Sequence, residues 1–180
     1  MTKRVVLIGH PVAHSLSGAM QQAAFDSVGI DARYETWDRT PLELADAIAE
    51  LRKDEFLGAN VTIPHKERVV PMVDRLTDEA HATGAVNTIT REGKRLIGHN
   101  TDAAGLLADL YTLDVHISNR PVLILGAGGA ARAAVAALAP LGCEIRLAAR
   151  RREQAQTITS NFQFPNPKVF DLTINDLRRG

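Results

Sequence analysis

The sequence contains almost no cysteine and few aromatic residues. Cys143 is the single cysteine among 180 residues, so no disulfide can form within the chain. A secreted scaffold held together by disulfides is therefore excluded, and a reducing compartment is expected. With five Phe, two Tyr and one Trp, the core is predicted to consist mainly of Ala, Val, Leu and Ile.

An excess of one charge and long apolar runs are also missing. The 21 basic and 21 acidic side chains give a formal net charge of zero, so no overall basic field favours nucleic acid as a partner. No apolar run approaches the roughly 18 residues that a membrane helix needs, so no membrane association is expected. The first apolar run, at residues 5–9, is too short for the core of a signal peptide, which predicts a cytoplasmic protein.

Short aliphatic runs alternate with amphipathic stretches along the chain. This alternation is typical of an α/β fold with a mainly parallel sheet. Strands are predicted at residues 5–8, 32–38, 58–64, 122–125, 143–149 and 169–172. Helices are predicted at residues 18–28 with Ser17 as N-cap, from Thr40 with Glu43 at its third position, from Thr77, and at 101–110, 126–139 and 151–160. Residues 86–90 and 95–98 are predicted to form a hairpin at one edge of the sheet.

A glycine-rich loop lies between a predicted strand and a predicted helix, which is the context that supports a dinucleotide site. The pattern G-x-G-x-x-G/A is matched by Gly126, Ala127, Gly128, Gly129, Ala130 and Ala131. The first glycine permits a tight turn, the second lets the backbone approach a pyrophosphate, and the N–H groups of the helix start face the anion. A glycine-rich turn without a ligand is the alternative.

Two domains are predicted: a mixed, mostly parallel α/β domain at residues 1–110, then part of a Rossmann-type dinucleotide-binding domain at residues 111–180.

The end of the next predicted strand discriminates between NAD and NADP. An NAD site has an acidic residue there, about 20 residues after the first glycine, which binds the ribose 2′-hydroxyl. This strand is followed instead by Arg150, Arg151 and Arg152. Because a guanidinium group binds a phosphate in a bidentate manner, NADP is predicted, with Arg150 as the first candidate for the 2′-phosphate and Arg151 as the second. A solvated basic helix start is the alternative.

Several polar strings follow the predicted strands of the first domain, where α/β sheets place their ligand sites. Each residue alone has an ordinary structural role available, as a helix cap, a turn residue or a surface lysine. Together, neutral hydrogen-bonding groups with one lysine and one carboxylate suit a small polyhydroxylated acid. The candidates are Ser15, Ser17, Asn60, Thr62, Lys66, Asn87 and Asp102.

Lys66 and Asp102 form the one cation–carboxylate pair among these strings. A lysine beside a bound carbonyl group can transfer a proton, and a carboxylate can orient the lysine. His65 is an alternative acid/base residue, although on an extended segment its side chain would face away from that of Lys66. No spacing of His, Cys and carboxylate residues is typical of metal ligands, so no metal site is predicted.

Five strings, taken in order and with their spacing, resemble the shikimate dehydrogenase family. They lie at residues 8–17, 58–66, 84–88, 98–102 and 125–133, so the resemblance covers nearly all of residues 5–152. It implies a reversible reduction of 3-dehydroshikimate to shikimate with NADPH, a step of aromatic amino-acid biosynthesis. It also implies that Lys66 and Asp102 form the catalytic dyad and that the seven candidates above hold the substrate. The NADP-binding residues would be Gly126, Ala127, Gly128, Gly129, Ala130, Arg150 and Arg151.

The chain departs from the family pattern in three places. Gly18 stands where the family has Pro after the second serine, and Gln21 and Gln22 stand where it has His-Asn. Ala149 replaces the Asn of an Asn-Arg-Thr string, whose arginine is kept as Arg150. Family members are longer, so the resemblance leads us to expect a C-terminally truncated member with low or no turnover.

Three other functions stay open at this point. A quinate/shikimate dehydrogenase that uses NAD is disfavoured by the run of arginines. A related two-domain dehydrogenase acting on folate or glutamyl-tRNA is disfavoured by the Ser-x-Ser and Asn-Val-Thr strings. A non-catalytic shikimate-binding module is the third alternative. A homodimer is kept as one expected assembly.

Overall fold

A computed structural model describes residues 2–150 and 152–162 of the chain, with the side chains of Arg152 and Asn161 left aside. The chain divides into two compact units, one up to Asn100 and one from Thr101 onwards. The predicted boundary at residue 110 is therefore not where the structure divides. The helix that begins at Asp102 packs against a helix of the second unit, and it is counted with that unit for this reason.

The first unit contains six strands and three α-helices among the described residues. In chain order these are β1 (Lys3–Gly9), α1 (Ser17–Ser27), β2 (Ala32–Asp38), α2 (Leu44–Glu50), β3 (Phe56–Val61), β4 (Arg75–Leu76), α3 (Asp78–Thr83), β5 (Thr88–Glu92) and β6 (Arg95–His99). The strands form one sheet in the order β2-β1-β3-β5-β6-β4. β1 is parallel to β2 and β3, whereas β5 is antiparallel to both of its neighbours, β3 and β6. The predicted α/β class with a mostly parallel sheet is confirmed.

The predicted hairpin exists, but it does not form the edge of the sheet. β5 and β6 pair antiparallel across a turn at Gly93, which has a φ of +62°. β4 lies beyond β6 and pairs with it in parallel, so β4 is the edge strand. With two residues, β4 is too short to produce an alternating pattern that the sequence could reveal.

Alternate residues of β1 belong to two separate apolar clusters on the two faces of the sheet. Val6 and Ile8 pack in the larger core with side chains of α2 and β3. Leu7 packs in a smaller cluster with Tyr34 of β2 and Phe25 of α1. Because β-strand side chains alternate between faces, the face with α1 is distinct from the face with α2. The face of the sheet against which α1 packs is here called the α1 face, and it carries several of the candidate polar residues.

Two predicted helix starts have different outcomes. The helix start predicted at Thr77 is confirmed by α3, and Thr77 is its N-cap, because its side chain accepts a hydrogen bond from the Ala80 N–H. Thr40 donates from its N–H and its hydroxyl to the Glu43 carboxylate, at 2.8 and 2.7 Å, but α2 begins only at Leu44. The predicted start at Thr40 is therefore too early, because residues 41–43 form a turn that precedes the helix.

An ionic contact joins the segment after α2 to the residue that precedes β4. Arg52 donates from Nη1 and Nη2 to the Asp74 carboxylate at 2.5 and 3.2 Å, and the Leu96 N–H donates to the same carboxylate at 2.7 Å. The hydrogen bonds from Arg52, and then that from Leu96, hold the pKa of Asp74 below its ordinary value of 3.8. A carboxyl group with a lowered pKa in the folded state stabilises the fold above its unfolded pKa, and this contribution is lost as the pH falls through the folded pKa.

Asp74→Asn is therefore expected to lower the melting temperature at about pH 6, and the difference from wild type is expected to shrink as the pH falls towards about 2. Thermal unfolding followed by circular dichroism over this range measures the difference. Asp109→Asn, which changes an exposed carboxylate of the helix beginning at Asp102, is the control. A difference in melting temperature between wild type and Asp74→Asn that stays constant with pH would contradict the assigned role of the Asp74 carboxylate.

The second unit contains α4 (Asp102–Thr112), β7 (Pro121–Leu125), α5 (Gly129–Leu138), β8 (Glu144–Ala148) and α6 (Arg152–Asn161). β7 and β8 are parallel, and their residues join α5 and α6 in one apolar cluster. The helix predicted from Gly126 begins only at Gly129, because the residues before it form the loop after β7. The strand predicted at 169–172 lies outside the described residues. In the part of the chain that the structure describes, every helix is too short or too polar to cross a bilayer.

Candidate functional site

The candidate residues of the first unit surround the carboxyl ends of β1 and β3. These strands are parallel neighbours, so their carboxyl ends lie at the same edge of the sheet. The loop after β3 returns to β1: the Thr62 N–H donates to the Ile8 oxygen at 2.9 Å. A Cβ atom at Gly9 would come within 2.4 Å of Thr62 Cγ2 and 2.5 Å of Val12 Cγ1. Glycine at position 9 therefore lets the two loops meet.

Ser15 and Ser17 form a local pair at the start of α1. The Ser17 N–H donates to Ser15 Oγ at 3.2 Å, and the Ser15 hydroxyl donates to Ser17 Oγ at 3.1 Å. The N-cap position belongs to Leu16, without a side-chain cap, so the prediction that Ser17 caps α1 is wrong. Ser15 Oγ thus accepts a hydrogen bond from one N–H group at the helix start. Both serines are half-buried.

Asn60 and Asn87 lie on neighbouring segments. The Asn60 side chain donates from Nδ2 to Thr88 Oγ1 at 3.2 Å, and the Thr88 hydroxyl donates to Asn87 Oδ1 at 3.0 Å. The main chain holds the same segments together, because the Val61 N–H donates to the Asn87 oxygen at 2.8 Å. Both asparagine side chains are half-buried. The structure thus brings these two candidates together.

Lys66 follows the same loop and is also half-buried. Its main-chain oxygen accepts from the Val86 N–H at 2.7 Å, which attaches it to the segment that carries Asn87. His65 is fully buried, and its Nε2 lies 2.7 Å from the Arg39 oxygen. His65 is thus more deeply buried than Lys66, and the assignment of Lys66 as the acid/base residue stays a prediction.

Asp102 is the first residue of α4, in the second unit, and is half-buried. Asn100, the last residue of the first unit, is buried, and its side chain donates to the Ala85 oxygen at 2.9 Å. The pairing of Lys66 with Asp102 stays a prediction.

Asp38 holds the loop that leads from β1 to the two serines. Its carboxylate lies 2.5 Å from His10 Nδ1 and accepts from the Val12 N–H at 3.5 Å. The hydrogen bond from His10, with a smaller effect of the Val12 N–H, lowers the pKa of Asp38. The carboxylate is therefore in the charged form that supports both contacts.

Two residues of this region were not among the predicted site residues. Thr88 connects the two asparagines, and the hydroxyl of Tyr34 donates to Asn60 Oδ1 at 2.8 Å. A signal for Tyr34 exists in the sequence: it occupies an apolar position of the predicted strand at 32–38, and a buried tyrosine hydroxyl needs a partner. Which partner it has depends on strands that are distant in sequence.

The glycine loop of the second unit has the backbone that the pattern predicts. Gly126 has a φ of +122°, and its N–H donates to the Ala148 oxygen at 2.7 Å. Gly128 is the extended residue before α5, and a Cβ atom there would meet nothing within 4 Å. Ala131 is buried in the cluster between helix and sheet. The start of α5 is thus open to an anion beside the carboxyl ends of both strands.

Arg150 lies two residues beyond β8 and is exposed. Because β7 and β8 are parallel, with Leu125 opposite Ala148, Arg150 and the glycine loop follow the same edge of this sheet. Arg151 lies outside the described residues. Within residues 2–150 and 152–162, no group of three or more His, Cys, Asp and Glu side chains is placed to hold a metal ion.

Known proteins are similar to this chain over most of its length. The family model for the shikimate dehydrogenase substrate binding domain matches residues 7–89. The chain is 46% identical over 164 residues to the shikimate dehydrogenase (NADP(+)) of Geobacter metallireducens, an alignment that covers 90% of this chain and 57% of that protein. The chain thus spans somewhat more than half the length of this curated relative.

Solved structures agree with this likeness. Shikimate 5-dehydrogenase from Thermus thermophilus, in complex with NADP(H) and shikimate, superposes with a TM-score of 0.83 at 37% identity, over 93% of this chain and 62% of that one. The ligand-free 5-ketofructose reductase of Gluconobacter sp. strain CHM43 superposes with a TM-score of 0.81 at 35% identity, over 96% and 64%. Similar folds are therefore found in proteins named for two different polyhydroxylated compounds.

Proposed function

Since the chain belongs to the shikimate dehydrogenase family, we propose that it catalyses the reversible, NADPH-dependent reduction of 3-dehydroshikimate to shikimate. The observation that carries this proposal is the polar cluster of the first unit. Its hydroxyl and amide groups are half-buried at the carboxyl ends of β1 and β3, together with one lysine. Neutral donors and acceptors match the hydroxyls and the carboxylate of such a substrate, and a lysine beside them can donate a proton to its carbonyl group.

Each candidate residue has a role under this proposal. The proposed substrate contacts are Ser15, Ser17, Asn60, Thr62, Lys66, Asn87 and Asp102. Lys66 supplies the proton that the carbonyl oxygen gains during reduction, and Asp102 orients the lysine. NADPH, when bound, supplies the hydride for the carbon atom.

The second unit fits the pyrophosphate of a dinucleotide. Its N–H groups at the start of the ten-residue helix α5 are preceded by Gly128, where no Cβ atom would hinder a phosphate. The proposed NADP contacts are Gly126, Ala127, Gly128, Gly129, Ala130, Arg150 and Arg151. Arg150 is exposed at the edge of the sheet where the glycine loop begins, which supports its assignment to the 2′-phosphate.

Arg150→Ala is expected to weaken NADPH binding by a factor of about 10 to 100 and to change NADH binding by a factor of about 2 at most. The reason is that hydrogen bonds to a charged phosphate are lost only with NADPH, which carries that group. Calorimetric titration with each nucleotide measures both effects.

Arg146→Ala is the matched control, because Arg146 lies on β8 and donates to Glu144 at 2.9 Å. This variant is expected to bind both nucleotides like the wild type. Equal weakening of NADPH and NADH binding by Arg150→Ala would remove Arg150 from the 2′-phosphate site.

Titration of the chain with shikimate and NADP⁺, the two reactants of the oxidative direction, tests the proposed function as a whole. Calorimetry measures binding, and absorbance at the nicotinamide band measures turnover. Turnover supports the dehydrogenase, whereas shikimate binding without turnover supports the non-catalytic binding module. Binding of neither compound contradicts both functions.

Competing ligands test the choice of substrate. Quinate with NAD⁺, compared with shikimate and NADP⁺, represents the NAD-dependent alternative, and 5-ketofructose represents the reductase with the similar structure. A preference for either over 3-dehydroshikimate with NADPH would replace the proposed substrate. The homodimer and the cytoplasmic location stay predictions of the sequence.

A further inference from the structure

The segment of residues 10–17 carries both candidate serines and is here called the serine loop. It leaves β1 directly opposite Asp38, the last residue of β2. The main chain fixes the first residue of the serine loop, because the His10 N–H donates to the Ile63 oxygen at 3.0 Å. Where the two serines lie relative to the sheet therefore depends on the contacts of the residues that follow His10.

The Asp38 carboxylate holds the serine loop at two points. Asp38 Oδ1 lies 2.5 Å from His10 Nδ1, and Oδ2 accepts from the Val12 N–H at 3.5 Å. The hydrogen bond from His10, with a smaller effect of the Val12 N–H, lowers the pKa of Asp38, so the carboxylate is charged at neutral pH. An ionised carboxylate only accepts hydrogen bonds, so the proton between Asp38 and His10 belongs to Nδ1. One side chain of β2 thus joins the first and the third residue of the serine loop.

Two further hydrogen bonds connect Val12 to the serines. The Ser15 N–H donates to the Val12 oxygen at 3.0 Å, and the Ser17 N–H donates to Ser15 Oγ at 3.2 Å. Val12 is 2% exposed and packs with Leu7 and Tyr34, so its position is also fixed from the side of the sheet. A displacement of Val12 would therefore displace both serines.

Arg39 follows Asp38 in the chain, but its side chain is directed elsewhere. Its guanidinium group lies 5.1 Å from the centroid of the Trp37 ring, and its Nη1 donates to the main-chain oxygen of Asp38 at 3.2 Å. The charge of Arg39 lowers the pKa of Asp38 less than the contacts with His10 and Val12 do. His10 is thus the side chain that orients the Asp38 carboxylate.

We propose that Asp38 and His10 form a positioning pair that holds the serine loop in the conformation in which Ser15 and Ser17 bind substrate. The pair acts through Val12 and needs no contact with the substrate itself. The inference rests on the proposed function, in which the two serines contact the substrate. Because the two side chains are 44% and 48% exposed, their pairing contributes little to the stability of the whole fold. The effect is expected on the order of the serine loop and on substrate affinity.

Asp38→Asn in the full 180-residue chain tests the proposal. The amide has almost the same shape as the carboxylate, but its nitrogen only donates, so it would face one of the two donors, His10 or the Val12 N–H. The dissociation constant of shikimate is expected to rise by a factor of about 3 to 10, because one contact of the serine loop is lost. That of NADPH is expected to change by a factor of about 2 at most. Calorimetric titration measures both constants.

Amide hydrogen exchange of the unliganded protein, followed by NMR, measures the order of the serine loop directly. The N–H groups of Ser15 and Ser17 are expected to exchange faster in Asp38→Asn by a factor of about 3 to 10, because local opening exposes them to solvent. The Val61 N–H, which donates to the Asn87 oxygen, is the internal reference and is expected to keep its rate.

Asp74→Asn is the matched control for a general loss of stability. Asp74 is also a carboxylate of the first unit that accepts from one side chain, Arg52, and from one main-chain N–H, that of Leu96. This variant is expected to lower the melting temperature and to change the dissociation constant of shikimate by a factor of about 2 at most. Equal weakening of shikimate binding by Asp38→Asn and Asp74→Asn would overturn the positioning role.

Two variants of His10 test the pair from its other side. His10→Ala removes the donor, so it is expected to weaken shikimate binding as Asp38→Asn does, and the double variant is expected to bind no more weakly than the weaker single variant. His10→Asn keeps a donor, because the amide nitrogen of asparagine is as many bonds from Cα as Nδ1 of histidine. It is expected to bind shikimate within a factor of about 2 of the wild type. These variants are an independent test if Asp38→Asn does not fold.

The outcomes separate this inference from the proposed function. Unchanged exchange of the Ser15 and Ser17 N–H groups in Asp38→Asn, or faster exchange with unchanged shikimate affinity, would contradict the role of the pair. A wild-type chain that binds no shikimate would contradict the proposed function, whereas the exchange rates of the unliganded protein would still decide whether the pair orders the serine loop.

Discussion

Lys66→Ala is expected to lower the rate of 3-dehydroshikimate reduction by a factor of about 10² to 10⁴, while shikimate affinity stays largely intact. A positioned general acid contributes about this much to a rate, because the carbonyl oxygen otherwise takes its proton from water. The half-buried Lys66 is held by its main-chain bond from Val86, so truncation of its side chain leaves the loop attached. Absorbance at the nicotinamide band measures the rate, and calorimetry measures the affinity.

Lys53→Ala is the control for the loss of a lysine charge, because Lys53 is an exposed residue of the first unit that pairs with Glu50.

A second test concerns the predicted dyad of Lys66 and Asp102. If Lys66 and Asp102 act as one unit, the double variant with Asp102→Asn should lose no more activity than the less active of the two single variants. A rate that is unchanged in Lys66→Ala would remove this residue from the mechanism.

Gly58→Ala is expected to destabilise the first unit by about 3 kcal/mol or more. A Cβ atom at position 58 would lie 2.0 Å from the Ile89 oxygen and 3.2 Å from Thr90 Cα. Both are main-chain atoms of β5, which pairs with β3 at this point, so no side-chain rotation can relieve the contact. The strands would have to separate, and with them the paired residues Asn60 and Thr88. Urea unfolding followed by circular dichroism measures the free energy.

Gly105→Ala provides the matched control, because a Cβ atom there meets nothing within 4 Å. Gly105 lies inside α4, where alanine is favoured over glycine by about 0.5–1 kcal/mol, so this variant should be slightly more stable than the wild type. Equal unfolding midpoints for Gly58→Ala and the wild type would show that β3 and β5 tolerate a larger separation than the structure implies.

Local patterns were sufficient for most elements. The strand predicted at 32–38 is β2, Ala32–Asp38, because its alternation and its flanking polar residues are local signals. The helix start at Thr77 was predictable for the same reason. The prediction of Ser17 as the N-cap of α1 was wrong, because Ser17 instead forms hydrogen bonds with Ser15 through its N–H group and its hydroxyl. Whether a serine caps a helix or pairs with another serine depends on the geometry of the loop.

The candidate site was predictable in its residue types and positions, but not in its connections. Ser15 and Lys66 lie in the strings after β1 and β3, and Asn60 lies near the end of β3, so the parallel strands bring them to one edge of the sheet. Tyr34 was not predicted, because it lies 26 residues before Asn60 and reaches it across β1. Such a contact depends on strand order, which no local pattern contains.

By itself the sequence determined the α/β class, the positions of most strands, the glycine loop and the polar residues that follow the strand ends. These features depend on side-chain periodicity and on turn residues, which act over a few neighbouring positions. Only the tertiary structure decided that β4 rather than the hairpin forms the edge of the sheet and that α4 belongs to the second unit. It also decided that the Tyr34 hydroxyl donates a hydrogen bond to Asn60. The physical reason is that strand pairing, helix packing and buried hydrogen bonds join segments that are distant in sequence, and the free energy of the whole fold selects among them.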